Sequence, residues 1–140
     1  RWAEYHAEAG HSVYIYFMDH VPPAFHIYMP EQPFLELPDG PRSAGAYHSG
    51  DLAYVFGNTD KVGVDWSDDD HALSKMLVLH WTNFAKTGDP NASGDARWPA
   101  FNRHSLTPRV LNPTPSTVSG VKKRALEIFA SRQPFVPLLE

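Results

Sequence analysis

The clearest periodic signal in the chain is SDDDHALSKMLVLHWTNFAKTGDPN, residues 67–91. Leu73, Met76, Leu77, His80, Trp81 and Phe84 recur at three- and four-residue spacing, which puts them on one face of a helix over 70–87. Ser67 or Asp68 can cap its start, and Asp68, Asp69 and Asp70 suit the positive end of its dipole. Gly88 followed by Pro90 stops it. A second pattern, SVYIYFM at 12–18, is β-branched and aromatic throughout. Val13, Ile15 and Phe17 alternate with Tyr14, Tyr16 and Met18, so the run predicts a strand over 13–19 apolar on both faces. Such a strand wants partners along both edges and helices above and below.

The rest of the chain is less regular. RWAEYHAEAG looks like the tail of a helix stopped at Gly10. Prolines at 22, 23, 30, 33, 38 and 41 make residues 20–42 a long irregular connection, of a kind that compact domains keep for function when it is ordered. Residues 51–56 suit a short helix better than a strand, and PRVLNP at 108–113 suits a short strand. STVSGVKKRALEIFASRQP reads as a last helix over about 119–132, ending before Pro134. No repeat or composition break divides the chain, so residues 1–140 form one unit.

Composition narrows the function classes. The 140 residues are 42% hydrophobic, enough for a core. A net charge of −4 with the twelve Lys and Arg scattered gives no nucleic-acid footprint. No apolar run reaches the eighteen or so residues of a membrane span. Without cysteine there is no disulfide framework and no thiolate chemistry, which suits a reducing compartment. The first residue is Arg1, not Met, and the opening reads as the middle of something longer, so localisation stays open.

Two apparent nucleophile motifs dissolve on inspection. GHSVY at 10–14 has Tyr14 where a nucleophile elbow needs its last glycine, and Ser12 precedes a strand where the elbow follows one. Ser119 to Lys122 spells S-x-x-K, but KTG at 86–88 lies upstream of it, reversing the β-lactamase order. Ser119 is more simply a helix cap. The eight histidines include no H-E-x-x-H pair, and the spacings of His20 with His26 and of His71 with His80 suit no metal site. No metal or other cofactor is expected.

His48 stands apart, in AGAYHSGDLAYVFGN at 44–58. Ala44, Gly45 and Ala46 allow backbone near a reacting centre, LAYVFG anchors the loop in a core, and Asp51 follows three residues on. A histidine on a loop after a buried strand can serve as general base and acid. GAYHSGDLAYVFG resembles the catalytic-histidine segment of the type-B carboxylesterases, the carboxylesterase/cholinesterase/lipase family. VYIYFMDHVPP, LSKMLVLHWTNFAKTGDPN and WPAF resemble further segments of that family in the same order, over about residues 11–101. The lack of cysteine is more similar to bacterial esterases than to disulfide-bearing animal cholinesterases.

The resemblance implies an α/β class, as the C-terminal part of an α/β-hydrolase fold, incomplete on its own. It implies that His48 is the triad histidine, on a loop at 40–50. It matches Asp51 to a buried carboxylate that supports the triad, one methylene shorter than the family's usual glutamate. The family's nucleophilic serine, oxyanion glycines and triad acid lie upstream of these residues. The chain is therefore expected to contribute one triad residue to the hydrolysis of small carboxylic esters and to be inactive alone. Its partner would be the upstream portion of the same enzyme, or a second copy through exposed strand edges. Two other readings stay open: a non-catalytic cholinesterase-like binding module, and a self-standing protein pairing His48 with Asp19 or Glu36.

Overall fold

The computed structural model describes residues 2–23, 45–61, 65–91, 97–102, 104, 107–114, 116–117 and 122–132. Its elements are α1 (Trp2–Glu8), β1 (Tyr16–Met18), α2 (Leu52–Val55), α3 (Asp68–Thr87), β2 (Arg109–Leu111), β3 (Ser116–Thr117) and α4 (Lys123–Arg132).

Helix α3 is the spine, and its limits follow from its end chemistry. At the start, the Asp70 amide donates to the Ser67 hydroxyl at 3.2 Å while the Ser67 amide donates to the Asp70 carboxylate at 2.8 Å. This reciprocal box satisfies two amides that a helix start leaves without partners. At the other end, Gly88 takes the left-handed conformation (φ 76°) and its amide reaches the Phe84 carbonyl at 2.8 Å. Leu73, Leu77 and His80 are buried along the predicted face, Met76 and Trp81 partly so. Phe84 departs from the expectation: it is 46% exposed, beyond the core, and meets the edge of Tyr14 at 5.8 Å. Ser74, polar and unremarked in the periodicity, is buried because its hydroxyl donates to the Tyr54 carbonyl at 3.0 Å and so joins α2 to α3.

Among the described residues β1, β2 and β3 form one sheet in that order. β1 pairs parallel with β2, Phe17 opposite Val110, and β2 pairs antiparallel with β3, Val110 opposite Ser116. A parallel pair needs a long crossover, which here contains α2 and α3. The strand expected over 13–19 is shorter than predicted. The Val13 carbonyl accepts from the Phe101 amide at 2.6 Å, the Ile15 carbonyl accepts from the Arg109 amide at 2.9 Å and from the Trp98 indole, and the ladder itself covers Tyr16–Met18 only. The strand buried at every position is β2, whereas Tyr16 of β1 is exposed. Ser116 and Thr117, expected just ahead of or in the last helix, pair with β2 instead, and α4 starts at Lys123. Ser119 lies outside the described residues, as does most of the proline-rich connection.

The core joins these layers through Tyr54, Leu73, Leu77, Trp98 and Leu111. Trp98 is fixed at three points. Its indole donates to the Ile15 carbonyl at 3.0 Å, and the Asn91 side chain grips its backbone amide at 2.6 Å and carbonyl at 3.1 Å. No helix among the described residues is long and apolar enough to cross a membrane.

Two leucines on α3 test which face is buried. Leu77→Ala should cost about 3 kcal/mol and Leu79→Ala less than about 1 kcal/mol, because Leu77 is fully enclosed and Leu79 is 44% exposed. Urea denaturation at neutral pH measures both, and equal losses would contradict this packing.

Candidate active site

His48 sits in a series of tight turns leading into α2. The Tyr47 amide donates to Gly45, the Gly50 amide to Tyr47 at 3.1 Å, and the Leu52 amide to Ser49 at 3.1 Å. Ser49 takes a left-handed conformation (φ 69°), which a serine adopts only where its surroundings hold it, and its hydroxyl donates to the His48 carbonyl. Gly50 is buried, and a β-carbon there would lie 3.0 Å from the Tyr47 carbonyl oxygen and 3.1 Å from Cγ of Pro22. The turn is thus close against the segment leaving β1, and a side chain at this position would make both neighbours give by a few tenths of an ångström. His48 itself is exposed.

Asp51 begins α2 without capping it. Its carboxylate accepts from the Tyr16 hydroxyl at 2.7 Å, so this short side chain reaches β1. Partial loss of water around the phenol, then the hydrogen bond and the charge of Asp51, push Tyr16 up to about 12 although the residue as a whole is exposed, and the phenol is the protonated donor of the pair. No hydrogen bond joins Asp51 to His48 among the described residues. Asp19, the other carboxylate weighed as a partner for His48, accepts instead from Asn112 at 2.9 Å; Glu36 lies outside the described residues.

The sequence pattern marks Asp70 only as a helix-start charge, yet among the described residues it is the most connected side chain near this turn. It is 5% exposed. One carboxylate oxygen accepts from His20 Nε2 at 2.6 Å and from the Tyr54 hydroxyl at 2.7 Å. The other accepts from the Ser67 amide at 2.8 Å and hydroxyl at 2.6 Å. Burial alone would raise this carboxyl, but the bonds from Ser67, His20 and Tyr54 outweigh it and hold the group at about 2. Tyr54 is pushed well above its ordinary range by burial and by Asp70, so it stays a donor. The sequence held a partial signal in Ser67-x-x-Asp70, but nothing local ties it to His20.

The remaining histidines have separate tasks. His80 is buried, with Nδ1 donating to the Pro90 carbonyl at 2.7 Å, and His71 Nδ1 lies 3.2 Å from the Thr59 hydroxyl. No group of three metal-ligating side chains occurs among the described residues. An aromatic cavity of about 370 Å³ opens between α1, β1 and α3, lined by Tyr14, Tyr16, Trp81, Phe84, Trp98 and others. Ser12 and His80 also line it, but Asp51 and His48 do not. No helix follows Ser12 and its strand starts four residues later, so it lacks the elbow setting a nucleophile needs.

The family model described as "Carboxylesterase family" matches residues 1–129. Carboxylesterase 4A of Bos taurus is 33% identical over 101 residues, 72% of this chain and 16% of that protein. The bile salt-activated lipase of Homo sapiens is 43% identical over 60 residues, 43% of this chain and 8% of the lipase. The chain therefore spans a minor share of the length of these relatives. Among solved structures, an esterase from Clostridium hathewayi superposes with a TM-score of 0.67 at 23% identity, covering 94% of this chain and 23% of that one. A carboxylesterase from Geobacillus stearothermophilus gives 0.64 at 24% identity, covering 89% and 23%. The fold is thus part of an α/β-hydrolase.

The depressed Asp70 carboxyl ties stability to pH. Its folded value of about 2 lies below the ordinary 3.8, so its contribution is present above 3.8 and is lost as pH falls through 2. Asp70→Asn should destabilise the protein by about 2 kcal/mol at pH 7 and by progressively less toward pH 2. Thermal melts at intervals between the two check this; a pH-independent difference would contradict it.

Proposed function

The chain belongs to the carboxylesterase family, and on that premise we propose that His48 is the general base and acid of a serine carboxylesterase. The family match across residues 1–129 supports the reading, together with an exposed histidine on a glycine-packed turn whose segment resembles the family's catalytic-histidine stretch. In this scheme the imidazole accepts the proton of a serine hydroxyl as that oxygen attacks the ester carbonyl. It then returns the proton to the departing alcohol, leaving an acyl-enzyme. The same imidazole next takes a proton from water, whose oxygen attacks the acyl carbon, and returns that proton to the serine oxygen as the acyl–serine bond breaks and the acid leaves.

Serine, oxyanion donors and triad acid are supplied by residues other than these 140, so the chain alone has no route to the acyl-enzyme. The substrates are carboxylic esters, bound mainly by surfaces from outside this segment. Asp51 acts at one remove: through Tyr16 it pins the start of α2 to β1 and so supports the turn that bears His48.

Organophosphate titration of the isolated chain should find no stoichiometric site. In a longer polypeptide that contains these residues and hydrolyses a nitrophenyl ester, His48→Ala should lower kcat on the order of 10⁴-fold, since triad members act as a unit. His71→Ala and His104→Ala should leave it within about twofold, as surface changes away from the reacting atoms do. Near-parental turnover in His48→Ala would remove the assignment. Asp51→Asn should lower turnover without loss of fold, and Asp51→Glu should be tolerated; equal rates for Asp51→Asn and the parent would remove its supporting part.

A further inference from the structure

Two segments flank the turn that carries His48. On one side is the stretch leaving β1, whose Pro22 lies so close to Gly50 that a β-carbon there would sit 3.1 Å from its Cγ. On the other is α2, whose first residue, Leu52, already donates its amide to Ser49 within the turn. His20 belongs to the first segment, two residues before Pro22. Tyr54 belongs to the second. Their rings meet edge-on with centroids 5.7 Å apart, and both donate to the same oxygen of Asp70.

We propose that Asp70 is a positioning residue for His48, acting as a tether that draws together the two walls of the His48 turn. The second Asp70 oxygen is held by Ser67 at the start of α3, so the tether is anchored on the longest helix and not on another loop. The geometry assigns distinct work to the two oxygens: one caps the start of the helix, the other gathers the turn. A carboxylate suits this because it can accept two donors on each oxygen, and because bonds to an ionised acceptor are roughly twice as strong as neutral ones. An asparagine offers one carbonyl oxygen and would have to surrender either the cap or the tether. The kinetic consequence rests on the reading of His48 as general base; the tether itself does not.

Amide hydrogen exchange on the 140-residue chain reads the tether directly. The Gly50 and Leu52 amides report the turn, and the amides of Leu77 and His80 report the integrity of α3. In Tyr54→Phe with His20→Phe, which keeps an aromatic ring at each position and the Ser67 cap but removes both donors to Asp70, exchange at Gly50 and Leu52 should rise at least about tenfold while Leu77 and His80 keep their protection. Tyr54→Phe alone, which removes only a hydroxyl, should give a smaller rise at the same two amides. Ser67→Ala removes the hydroxyl half of the cap, keeps the residue-67 amide on Asp70 and both tethers, and should leave Gly50 and Leu52 as they are. Unchanged exchange at Gly50 and Leu52 in the double and single tether variants overturns the inference, as does an equal rise at all four amides.

In an esterase-active polypeptide that contains these residues, Tyr54→Phe with His20→Phe should lower kcat about tenfold or more with KM within about twofold, the pattern of a misplaced base and not of lost substrate binding. A loss carried by KM alone would overturn the positioning role. Activity retained in His48→Ala would instead sink the reading of His48, and the exchange measurement would still decide the tether.

Discussion

One buried carboxylate sets the local geometry on which the candidate site depends. Asp70 has given up nearly all its contact with water, a cost of several kcal/mol for an ion with nothing in return. Four donors from three segments make the return, and their combined effect is large enough to lower the group's pKa against its burial. None of these partners is a permanent cation. The site therefore keeps its negative charge by hydrogen bonds from two oxygens' worth of hydroxyls, an amide and an imidazole, and it requires His20, Tyr54 and Ser67 to be where they are. Removing any one would leave an oxygen under-satisfied in a place water barely reaches.

The parts of this arrangement that lay within one helical turn were legible in the sequence. Ser67 and the aspartates after it predicted the start of α3, and Gly88 its end, because capping is a local contest over a few backbone groups. His48 stood out through its resemblance to a family segment, and the chain's membership of that family is shown by the match over residues 1–129. His20 and Asp70 were both in view, yet nothing in the linear pattern joins residues fifty apart. That contact depends on the crossover bringing the end of β1 over the start of α3.

Strand limits were the least legible feature. A β-branched and aromatic run states a preference for extended backbone, but a ladder forms only where a neighbour runs alongside. Val13 to Ile15 has the preference and only scattered bonds from Phe101, Trp98 and Arg109, while Ser116 and Thr117 have little preference and pair because β2 passes beside them. Phe84 fits the helical spacing and yet lies beyond the buried stripe, since periodicity reports which way a residue faces and not how far the core extends along that face.

The parallel pairing of β1 with β2 also has a bearing on the order in which the structure assembles. Tyr16 finds Arg109, and Met18 finds Leu111, only once segments 93 residues apart have been brought together. Closing so long a loop is entropically costly before any contact rewards it, whereas the capped α3 and its contact with α2 need only nearby residues. Among the described elements, the α2–α3 pair is thus the part that local contacts favour first, and the β1–β2 ladder the part that must wait for a distant partner. During that interval the apolar strand is the part of the chain most exposed to pairing with the wrong neighbour.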